Sequence, residues 1–487
     1  MTLERIKRSQ RKIVKRLIVR GTLVLDTPVC LGNGNSDSDN PIDLMLLRDS
    51  ISDRALLTAS SIAGALRNYL HDYENGYQKE EKQESLATTL FGGIRSQDDG
   101  DQSSIIIGDS LSIDPAPTIE LRDGVKIDSE TGTAKEKAKY DLELLAAGTK
   151  FPLYFEVVIC EKDDDDKAKL IKALGLTLQG LEKGEISFGI KKRRGFGRCH
   201  VKAWQTWLFD LRKDDERLQW LMFDHESVNL SETQQTYESI VEGLGIKLDD
   251  EDKRDHFLLR ATFKLASPLL IRSSPRFDQV TPDVIHLRSY RPNKNGNKLN
   301  SVPILSGTSL AGVLRHRAER IIRTLGKNTE MLDRLFGVVK ENEKNVKASR
   351  LIVNEAVINK TKDLVQNRIA IDRFTGGAYH GALFDEQILC GSDETILTLN
   401  LELRQPRKAE IGLLLLLLKD LWTSDLPVGG GSSIGRGRLQ GIHAKMTWHH
   451  SSANQQSWTI SQNKNRKLEI SDVGQLEEFV ASLHKEK

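Results

Sequence analysis

Apolar residues along the chain alternate or recur in patterns that predict a regular series of strands and helices. A mixed β-branched and apolar stretch, Leu17–Leu25, predicts a strand, and a long polar loop containing glycine and acidic residues follows it. From about Ser60, apolar residues recur every three or four positions, which predicts an amphipathic helix. Strands at 104–107, 151–160 and 200–207 and a helix over 168–181 complete the series, with a polar excursion over 121–150.

The same series occurs twice. Arg20–Pro28 (RGTLVLDTP) reappears 240 residues later as Arg260–Pro268 (RATFKLASP). The octapeptide that ends at Arg67 (SSIAGALR) reappears as the one that ends at Arg315 (TSLAGVLR), and LFG, an Ile-Asp pair and a glycine-basic loop repeat in the same order. Five matches with offsets of 240–248 residues indicate a tandem duplication. The order strand, helix, strand, strand, helix, strand therefore predicts an α+β chain of two tandem ferredoxin-like (RRM-like, βαββαβ) domains.

The repeats also predict where the chain divides. We expect a first domain over residues 1–210, a charged connector with one helix over 211–254, a second domain over 255–450, and a polar C-terminal tail over 451–487 that ends in a short helix. The polar excursions inside each repeat are expected to be insertions into the basic fold.

Composition excludes several classes of protein. The chain has 487 residues, 38% of them hydrophobic and 29% charged, which predicts a folded chain with more than one core. The longest apolar run, Leu413–Leu418, is too short to span a bilayer, and no apolar segment follows the basic amino terminus, so we expect neither a membrane span nor a signal peptide. Four separated cysteines form no CxxC pair, which favours a reducing, cytoplasmic location.

Net charge at first argues against a nucleic-acid partner, because 71 Lys and Arg nearly balance 69 Asp and Glu. The charges are nevertheless segregated. Residues 1–20 hold eight basic side chains and one acidic one, and residues 191–198 hold five basic side chains and none that is acidic. Either basic run can be a solvated surface, so charge alone does not decide between a nucleic-acid-binding surface and a solvated one.

Two glycine-basic loops are candidate phosphate-binding elements. The second loop, GGGSSIGRGR, is not a P-loop, because no Lys-Ser or Lys-Thr follows its glycines. Low side-chain bulk lets a phosphodiester approach backbone amides, guanidinium groups form forked contacts with phosphate, and an aromatic ring can stack on a base. A solvated hairpin is the alternative for one loop, but two copies favour RNA binding by Lys191, Lys192, Arg193, Arg194, Phe196 and Arg198 in the first loop and Arg436 and Arg438 in the second.

The starts of the two equivalent helices are further candidates. They carry Ser60, Ser61 and Arg67 in the first repeat and Thr308, Ser309 and Arg315 in the second. Free amides and hydroxyl groups at a helix start can bind a phosphate, and Ser or Thr there can equally serve as a plain N-cap. Both alternatives stay open from the sequence.

Repeated carboxylates are the catalytic candidates. Aligned without gaps, Asp43 corresponds to Asp283 in the loop after the first strand of each repeat, whereas a slip would pair Asp37 or Asp39 with Asp278. The repeated pairs Asp128/Asp372 and Asp141/Asp385 flank predicted hairpin strands and are expected to fix turns. No histidine repeats, and no HExxH or His/Cys cluster indicates a transition-metal site.

Together these motifs resemble the RAMP superfamily of CRISPR proteins, most closely the backbone subunits of type III effector complexes. The two fused copies resemble the double-backbone subunit of subtype III-D. In this family a D-x-P-x-x-R-D pattern follows the first strand. Asp43–Asp49 keeps both acids and the arginine without the proline, and Asp283–Ser289 keeps only the first acid and the arginine. The resemblance covers about residues 15–210 and 255–447.

The resemblance implies a subunit that binds CRISPR guide RNA, complementary target RNA and other effector subunits, without a membrane. It implies that Asp43 and Asp283 cleave target RNA with a divalent cation that these carboxylates would hold, Mg²⁺ or alternatively Mn²⁺. The excursions 121–150 and 361–386 would be thumb-like hairpins that wedge between guide and target. A non-catalytic guide scaffold and a guide-precursor processing endonuclease remain alternatives, although the lack of a well-placed histidine counts against the latter.

Overall fold

The computed structural model describes most of the chain. The described residues are 12–32, 44–94, 101–128, 131, 133–161, 167–225, 227, 230–231, 234–274, 282–293, 298–338, 347–450, 455–463 and 467–485. Within these ranges no helix is both long enough and apolar enough to cross a membrane.

The first half forms an antiparallel sheet in which β1 lies between β7 and β8, and β3 extends the far side of β7. Its strands are β1 (Ile13–Leu25), β2 (Leu56–Leu57), β3 (Ile105–Ile107), β4 (Ser110–Leu111), β5 (Ile119–Ile127), β6 (Ala134–Leu145), β7 (Lys150–Cys160) and β8 (Cys199–Asp210). Its helices are α1 (Ala59–Asn75), α2 (Leu86–Phe91) and α3 (Lys167–Glu182). Side chains on one face of β1, including Leu17 and Val19, pack with Ile62 of α1 and Leu170 of α3.

The second half repeats this order. In its sheet β9 lies between β18 and β19, and β14 pairs with the other edge of β18. Its strands are β9 (His256–Leu265), β10 (Arg272–Ser273), β11 (Val284–His286), β12 (Arg288–Pro292), β13 (Leu299–Leu305), β14 (Leu351–Val353), β15 (Ala356–Asn359), β16 (Lys362–Ile371), β17 (Ala378–Cys390), β18 (Ile396–Arg404), β19 (Leu439–His449), β20 (Gln455–Gln462) and β21 (Leu468–Ile470). Its helices are α6 (Gly307–Thr324), α7 (Glu330–Phe336), α8 (Lys408–Trp422) and α9 (Val473–Lys485), and α4 (Asp214–Leu221) and α5 (Ile240–Gly243) lie between the halves.

The α+β class predicted from the sequence is confirmed, and both polar excursions are antiparallel hairpins, β5–β6 and β16–β17. The C-terminal tail, which the sequence predicts to be polar, is part of the second folded half. Strands β20 and β21 extend the second sheet beyond β19, and α9 packs on α8 so closely that a side chain at Gly412 would clash with the carbonyl of Phe479. The buried residues of α9 recur at Leu476, Phe479 and Leu483, which explains why a largely polar sequence still contributes to the core.

The segment after β8 contains two helices where one was expected. Ile240 of α5 packs into the core on the first face of the first sheet, whereas residues around Phe223, after α4, cover its second face. Arg20 is buried there, with its guanidinium 4.7 Å from the ring centroid of Phe223 and 5.3 Å from that of Trp207. It donates to the carbonyl of Asp224, and burial lowers its pKa. Arg16 pairs with Glu156 in the same layer. These two members of the basic N-terminal run therefore stabilise the fold and are not free for an RNA partner.

The two halves meet where the first glycine-basic loop lies against the start of α6. Arg194 donates to the carbonyls of Phe336 and Leu351 at 3.3 and 3.4 Å. A Cβ at Gly195, whose φ is +87°, would lie 2.6 Å from the amide nitrogen of Glu355. A Cβ at Gly307 would clash with the carbonyl of Arg194. Glycine at both positions permits this close backbone contact.

A buried ionic network joins the same halves. Arg122 on β5 pairs with Glu120 at 3.0 Å and with Glu355 of the second half at 3.4 Å. Arg291 pairs with Glu355 as well, and the hydroxyl of Ser289 donates to Glu120 at 2.8 Å. Two carboxylates and two guanidinium groups thus balance each other away from water. Buried charges are tolerated when they are paired and hydrogen-bonded in this way.

We predict that Glu355→Ala lowers the free energy of unfolding by about 3–5 kcal/mol, because it leaves Arg122 and Arg291 without their shared carboxylate. The matched control is Glu394→Ala, which removes a largely exposed carboxylate paired with Lys360 and should have far less effect. Urea denaturation followed by circular dichroism measures both. Equal effects of the two substitutions would contradict a structural role for the network.

Candidate nucleic-acid interface

The first catalytic candidate cannot be placed directly. Asp43 and the alternatives Asp37, Asp39 and Asp278 lie outside the described residues. The register of the flanking residues is nevertheless informative. Leu44 forms a parallel bridge with Leu142, and Val284 forms the equivalent parallel pair with Glu386.

Val284 lies 240 residues after Leu44, and Glu386 lies 244 residues after Leu142. The ungapped alignment gives the same offsets for the loop and for the hairpin. The pairing therefore favours Asp43 and Asp283 as equivalent positions over the slipped alignment.

Asp283 lies beside the middle of the second hairpin, where Asp385 of β17 pairs with Asn367 of β16. It is exposed and comes directly before β11, which runs parallel to β17. Its Oδ2 accepts a hydrogen bond from the backbone amide of Asp385 at 3.0 Å. This contact fixes the carboxylate against the hairpin. Asp385 was expected to fix a turn, but it lies within β17 beside Asp283. Its spacing from Asp372, which repeats that of Asp141 from Asp128, was the available signal for this position.

The other members of the family pattern hold the loop together. One guanidinium nitrogen of Arg288, Nη2, donates to both carboxylate oxygens of Asp363 on β16, at 2.8 and 2.9 Å, and Arg48 pairs with Glu143 on β6 at 3.2 Å. Both arginines thus join the loop to the neighbouring hairpin. Asp49 accepts hydrogen bonds from the hydroxyl and amide of Ser52, which lower the pKa of Asp49.

Two of the remaining repeated acids, Asp372 and Asp128, behave as turn residues. Asp372 accepts from the amide of Phe374 at 2.7 Å, and Asp128 accepts from the amide of Thr131 at 2.9 Å. The prediction that these two fix hairpin turns is confirmed. Asp141, like Asp385, lies inside a strand instead.

His286 is buried three residues from Asp283. Its Nδ1 accepts from the amide of Ile271, and its Nε2 lies 3.0 Å from the carbonyl of Ile304. Burial lowers the pKa of His286 to about 4, so the ring is neutral near pH 7. Both ring nitrogens bind backbone groups inside the fold. His286 therefore stabilises the fold and is not placed to act as a general acid or base beside Asp283.

The fit of a divalent cation follows from the donors present. Among the residues that the structure describes, no group of three or more Asp, Glu, His or Cys could form a protein-only metal cage. Mg²⁺ instead usually binds one or two carboxylates and completes its shell with water and substrate phosphates. Asp283 fits this second mode.

Phe196 in the first glycine-basic loop is buried, with 3% of its surface exposed, among Cys30, Leu142 and Leu144. The guanidinium of Arg122 lies 5.7 Å from its ring centroid. The prediction that Phe196 stacks on a base is therefore wrong for this structure. Its ring anchors the loop to the first hairpin, because an apolar cluster is available on β6.

The second glycine-basic loop is joined to the hairpin of its own half by an ion pair. Arg436 corresponds to Phe196 and is 4% exposed. It donates to Glu386 and to Gln366, both at 2.8 Å. Glu386 in turn corresponds to Leu142. The expectation that Arg436 contacts phosphate is not supported, since its guanidinium is committed to the second hairpin.

The other loop cations divide into two groups. Arg193 and Arg194 turn toward the junction between the halves, and burial lowers the pKa of both, that of Arg193 to about 10. Lys192 and Arg438 are exposed, and Lys191 and Arg198 are half-buried. The Lys191 ammonium lies 3.5 Å from the ring centroid of Tyr140, and Arg438 donates to the carbonyl of Ser424 at 2.8 Å.

Each helix start is capped by a residue that lies two positions before the first candidate hydroxyl. Thr58 caps α1 by accepting from the amide of Ser61, and Ser306 caps α6 by accepting from the amide of Ser309, both at 3.3 Å. Ser60 and Thr308 lie in the first turns, and Ser60 is exposed. In the first half, the Ala59 amide already donates to Asp109 at 2.6 Å. A carboxylate thus occupies part of this helix start.

The repeated arginines of these helices have structural partners. Arg67 forms a forked pair with Glu81 at 2.8 and 2.9 Å and donates to the carbonyl of Gly93. Arg315 donates to the carbonyl of Gly337 at 2.9 Å. Each arginine therefore links its helix to the end of the LFG motif, at Gly337 in the second half and one residue beyond the motif, at Gly93, in the first, which explains why the two motifs repeat together. Arg67 is thus largely committed to protein partners, whereas the Arg315 side chain is 39% exposed, and RNA binding by Arg315 stays a prediction.

Comparison with known proteins adds one finding. The sequence model of the RAMP superfamily matches residues 22–200 and matches again over residues 262–440. The two matches together cover more than half of the chain, and each falls on one of the two repeats. No curated protein matches this chain significantly.

We predict that acid destabilises the fold through His286. Its folded pKa of about 4 lies below that of the unfolded chain, so the unfolded state binds more protons between about pH 4 and 6.5, and stability falls as the pH falls through this window. Relative to His286→Gln, the wild-type chain should lose about 2 kcal/mol more stability between pH 7 and pH 5. Urea denaturation at the two pH values measures this. Parallel pH profiles would show that the ring is not held neutral.

Proposed function

The chain belongs to the RAMP superfamily, and from this membership we propose that it is a guide-RNA-binding backbone subunit of a type III CRISPR effector complex, in the tandem form of subtype III-D. RAMP proteins are generally CRISPR-associated and bind RNA. The observation that carries the proposal is that the family match falls separately on each repeat. Each half would then bind one segment of a guide RNA beside other effector subunits.

We infer that each half has the ferredoxin-like topology. In the first half the first strand lies between the third and the fourth, and the second strand pairs with the third, all antiparallel. The second half places β9, β14, β18 and β19 in the same arrangement. The hairpins β5–β6 and β16–β17 correspond to thumb-like insertions between the second and third strands.

Guide binding would rest on the cations that stay accessible. Arg198 and Arg438 occupy equivalent positions at the end of the two glycine loops, and Lys191 and Lys192 precede the first of them. Two equivalent cations, one in each half, can contact two phosphates of one strand at a regular interval. Such contacts position RNA without reading its sequence.

Target cleavage is proposed at Asp43 and Asp283. RNA carries its own nucleophile, the 2′-hydroxyl, so a splayed nucleotide held in line with the scissile phosphate needs little further machinery. Asp283 is held by the Asp385 amide midway along a hairpin, and this orientation supports a role beside the backbone of a target strand. A divalent cation on this carboxylate would stabilise the charge that develops on the phosphate.

The second hairpin has the surface expected of a wedge. Phe374 at its turn is 85% exposed, and Ile371 and Tyr379 on either side are also exposed. Exposed apolar and aromatic side chains at a hairpin tip can replace the stacking of a displaced base. The turn is held by the hydrogen bonds of Asp372.

A non-catalytic guide scaffold is the second candidate. It is favoured by the lack of a cluster of three or more metal-binding side chains in the described ranges and by Ser289, which replaces the second acid of the family pattern and lies in the junction network. Processing of guide precursors has no such support, since His286 is buried and neutral.

We predict that Asp43→Ala and Asp283→Ala each remove one Mg²⁺-dependent cut when the assembled complex is incubated with complementary RNA. Denaturing gel electrophoresis of end-labelled target, with and without EDTA, resolves the two products. Asp393→Ala removes an exposed acid outside the loop and serves as control. If both candidate variants leave every cut intact, the scaffold function replaces the nuclease.

We also predict that two neighbouring arginines differ in effect. Arg438→Ala should weaken guide RNA binding and reduce the slope of log affinity against log salt by about one, because one phosphate contact is lost. Arg436→Ala should instead lower the melting temperature, since Glu386 loses a buried partner. Filter binding over a salt series and thermal denaturation separate the two. A salt slope unchanged by Arg438→Ala would contradict this assignment.

A further inference from the structure

The outer face of the second sheet, on the side away from α6 and α8, carries an uncovered group of basic side chains. Arg260 on β9 lies directly opposite Lys445 on β19, and both are exposed. Lys264 and His443 lie on the same face of these two strands, and the four residues together form the basic face. Like charges directly opposite each other on antiparallel strands destabilise a sheet, and an anion beside them would remove this repulsion.

No neighbouring acid balances the opposed pair of the basic face. Within the part of the chain that the structure describes, neither member of the pair forms an ion pair or a hydrogen bond through its side chain. Glu402 and Glu469 share this face farther out, but they accept hydrogen bonds from Arg404 and Asn463. The positions around the pair are uncharged and polar, namely Thr262, Thr398, Asn400, Thr459 and Ser461.

The equivalent row of the first sheet shows what can cover such a surface. Arg20 and Gln205 lie opposite each other there and are the counterparts of the opposed pair, 240 residues earlier. The segment after α4 lies over them. Its Asp224 carbonyl accepts from the guanidinium of Arg20, and its Ser231 carbonyl accepts from the side-chain amide of Gln205 at 2.6 Å. Polypeptide therefore covers this row in the first half, whereas the same row is exposed in the second.

The composition of the basic face favours carboxylates over nucleotides. Tyr154 and Trp207, the sheet residues whose rings contact Arg20, are replaced by Asn400 and Thr447. The basic face therefore has no Phe, Tyr or Trp ring on which a base could stack. In an extended segment, side chains on one face recur about every 7 Å. Two carboxylates on such a segment match the spacing of successive same-face residues along β19.

We propose that the basic face binds an acidic, extended segment of a partner protein, with carboxylates beside Arg260 and Lys445. The segment would take the place that the chain after α4 occupies on the first sheet, with side-chain carboxylates instead of backbone carbonyls. Hydrogen bonds between a cation and a carboxylate are stronger than those between neutral groups, so this exchange suits the second sheet. The surface uses none of the residues proposed for guide binding or target cleavage, and it stands apart from both.

Fluorescence anisotropy of the full-length chain with labelled octaglutamate and with labelled octauridylate, two probes of similar charge, tests the proposal. Arg260→Gln/Lys445→Gln should weaken octaglutamate binding about five- to tenfold and leave octauridylate binding unchanged. The matched control is Arg320→Gln/Arg323→Gln, which removes two exposed cations from α6 and should leave octaglutamate binding unchanged. Carbodiimide cross-linking followed by mass spectrometry should join the glutamate probe to Lys264 or Lys445 in the wild-type chain.

A single substitution, Lys445→Glu, separates loss of the surface from loss of the fold. The new glutamate lies opposite Arg260 and can form a cross-strand ion pair, so the variant should melt at a higher temperature than the wild-type chain and yet lose octaglutamate binding. A wild-type chain that does not bind octaglutamate, or a double variant that binds it as well as the wild-type chain does, overturns the proposal. A double variant that loses octauridylate alone also overturns it, because the face would then be an RNA surface.

Discussion

The structure depends on a close backbone contact between two glycine-containing segments at the junction of its halves. The first glycine-basic loop can lie on the start of α6 because Gly195 and Gly307 have no side chains there, and any Cβ would force the halves apart. This contact sets the position of β5, whose Glu120 and Arg122 then become buried against Glu355. Once water is excluded, each of these charges must be paired. Glycine in this loop therefore serves protein packing, where phosphate binding was expected.

The duplication shows how one geometric requirement can be met by different chemistry. Each glycine loop must be fastened to the hairpin of its own half. The first half does so with an apolar contact between Phe196 and Leu142, and the second with an ion pair between Arg436 and Glu386. Both members of the pair differ between the halves, and an arginine placed against Leu142 would bury a charge without a carboxylate partner. A basic residue in a repeated motif is thus a weak indication of RNA binding until its partners are known.

The repeated elements, the α+β class and the hairpin excursions could be predicted from the sequence, because hydrophobic periodicity and repetition are local signals. Side-chain contacts and strand pairs between residues far apart in the sequence could not be predicted in this way. Phe196 and Arg436 were assigned to RNA because their partners lie some 50 or more residues away on the hairpins. The contribution of α9 was missed since only three of its residues face the core. The position of Asp283 beside Asp385 required the parallel pairing of β11 with β17, which no local pattern indicates.

We propose that two copies of one RNA-binding module are locked at a fixed distance and that each presents one carboxylate to a target strand. The locking follows from the glycine contact and the ionic network, and the equivalence of Asp43 and Asp283 follows from the matching strand register. Mapping the two cuts at nucleotide resolution, in complexes loaded with guides of unrelated sequence, tests this most directly. The account predicts the same number of nucleotides between the cuts for every guide. A spacing that changes with the guide sequence would contradict it.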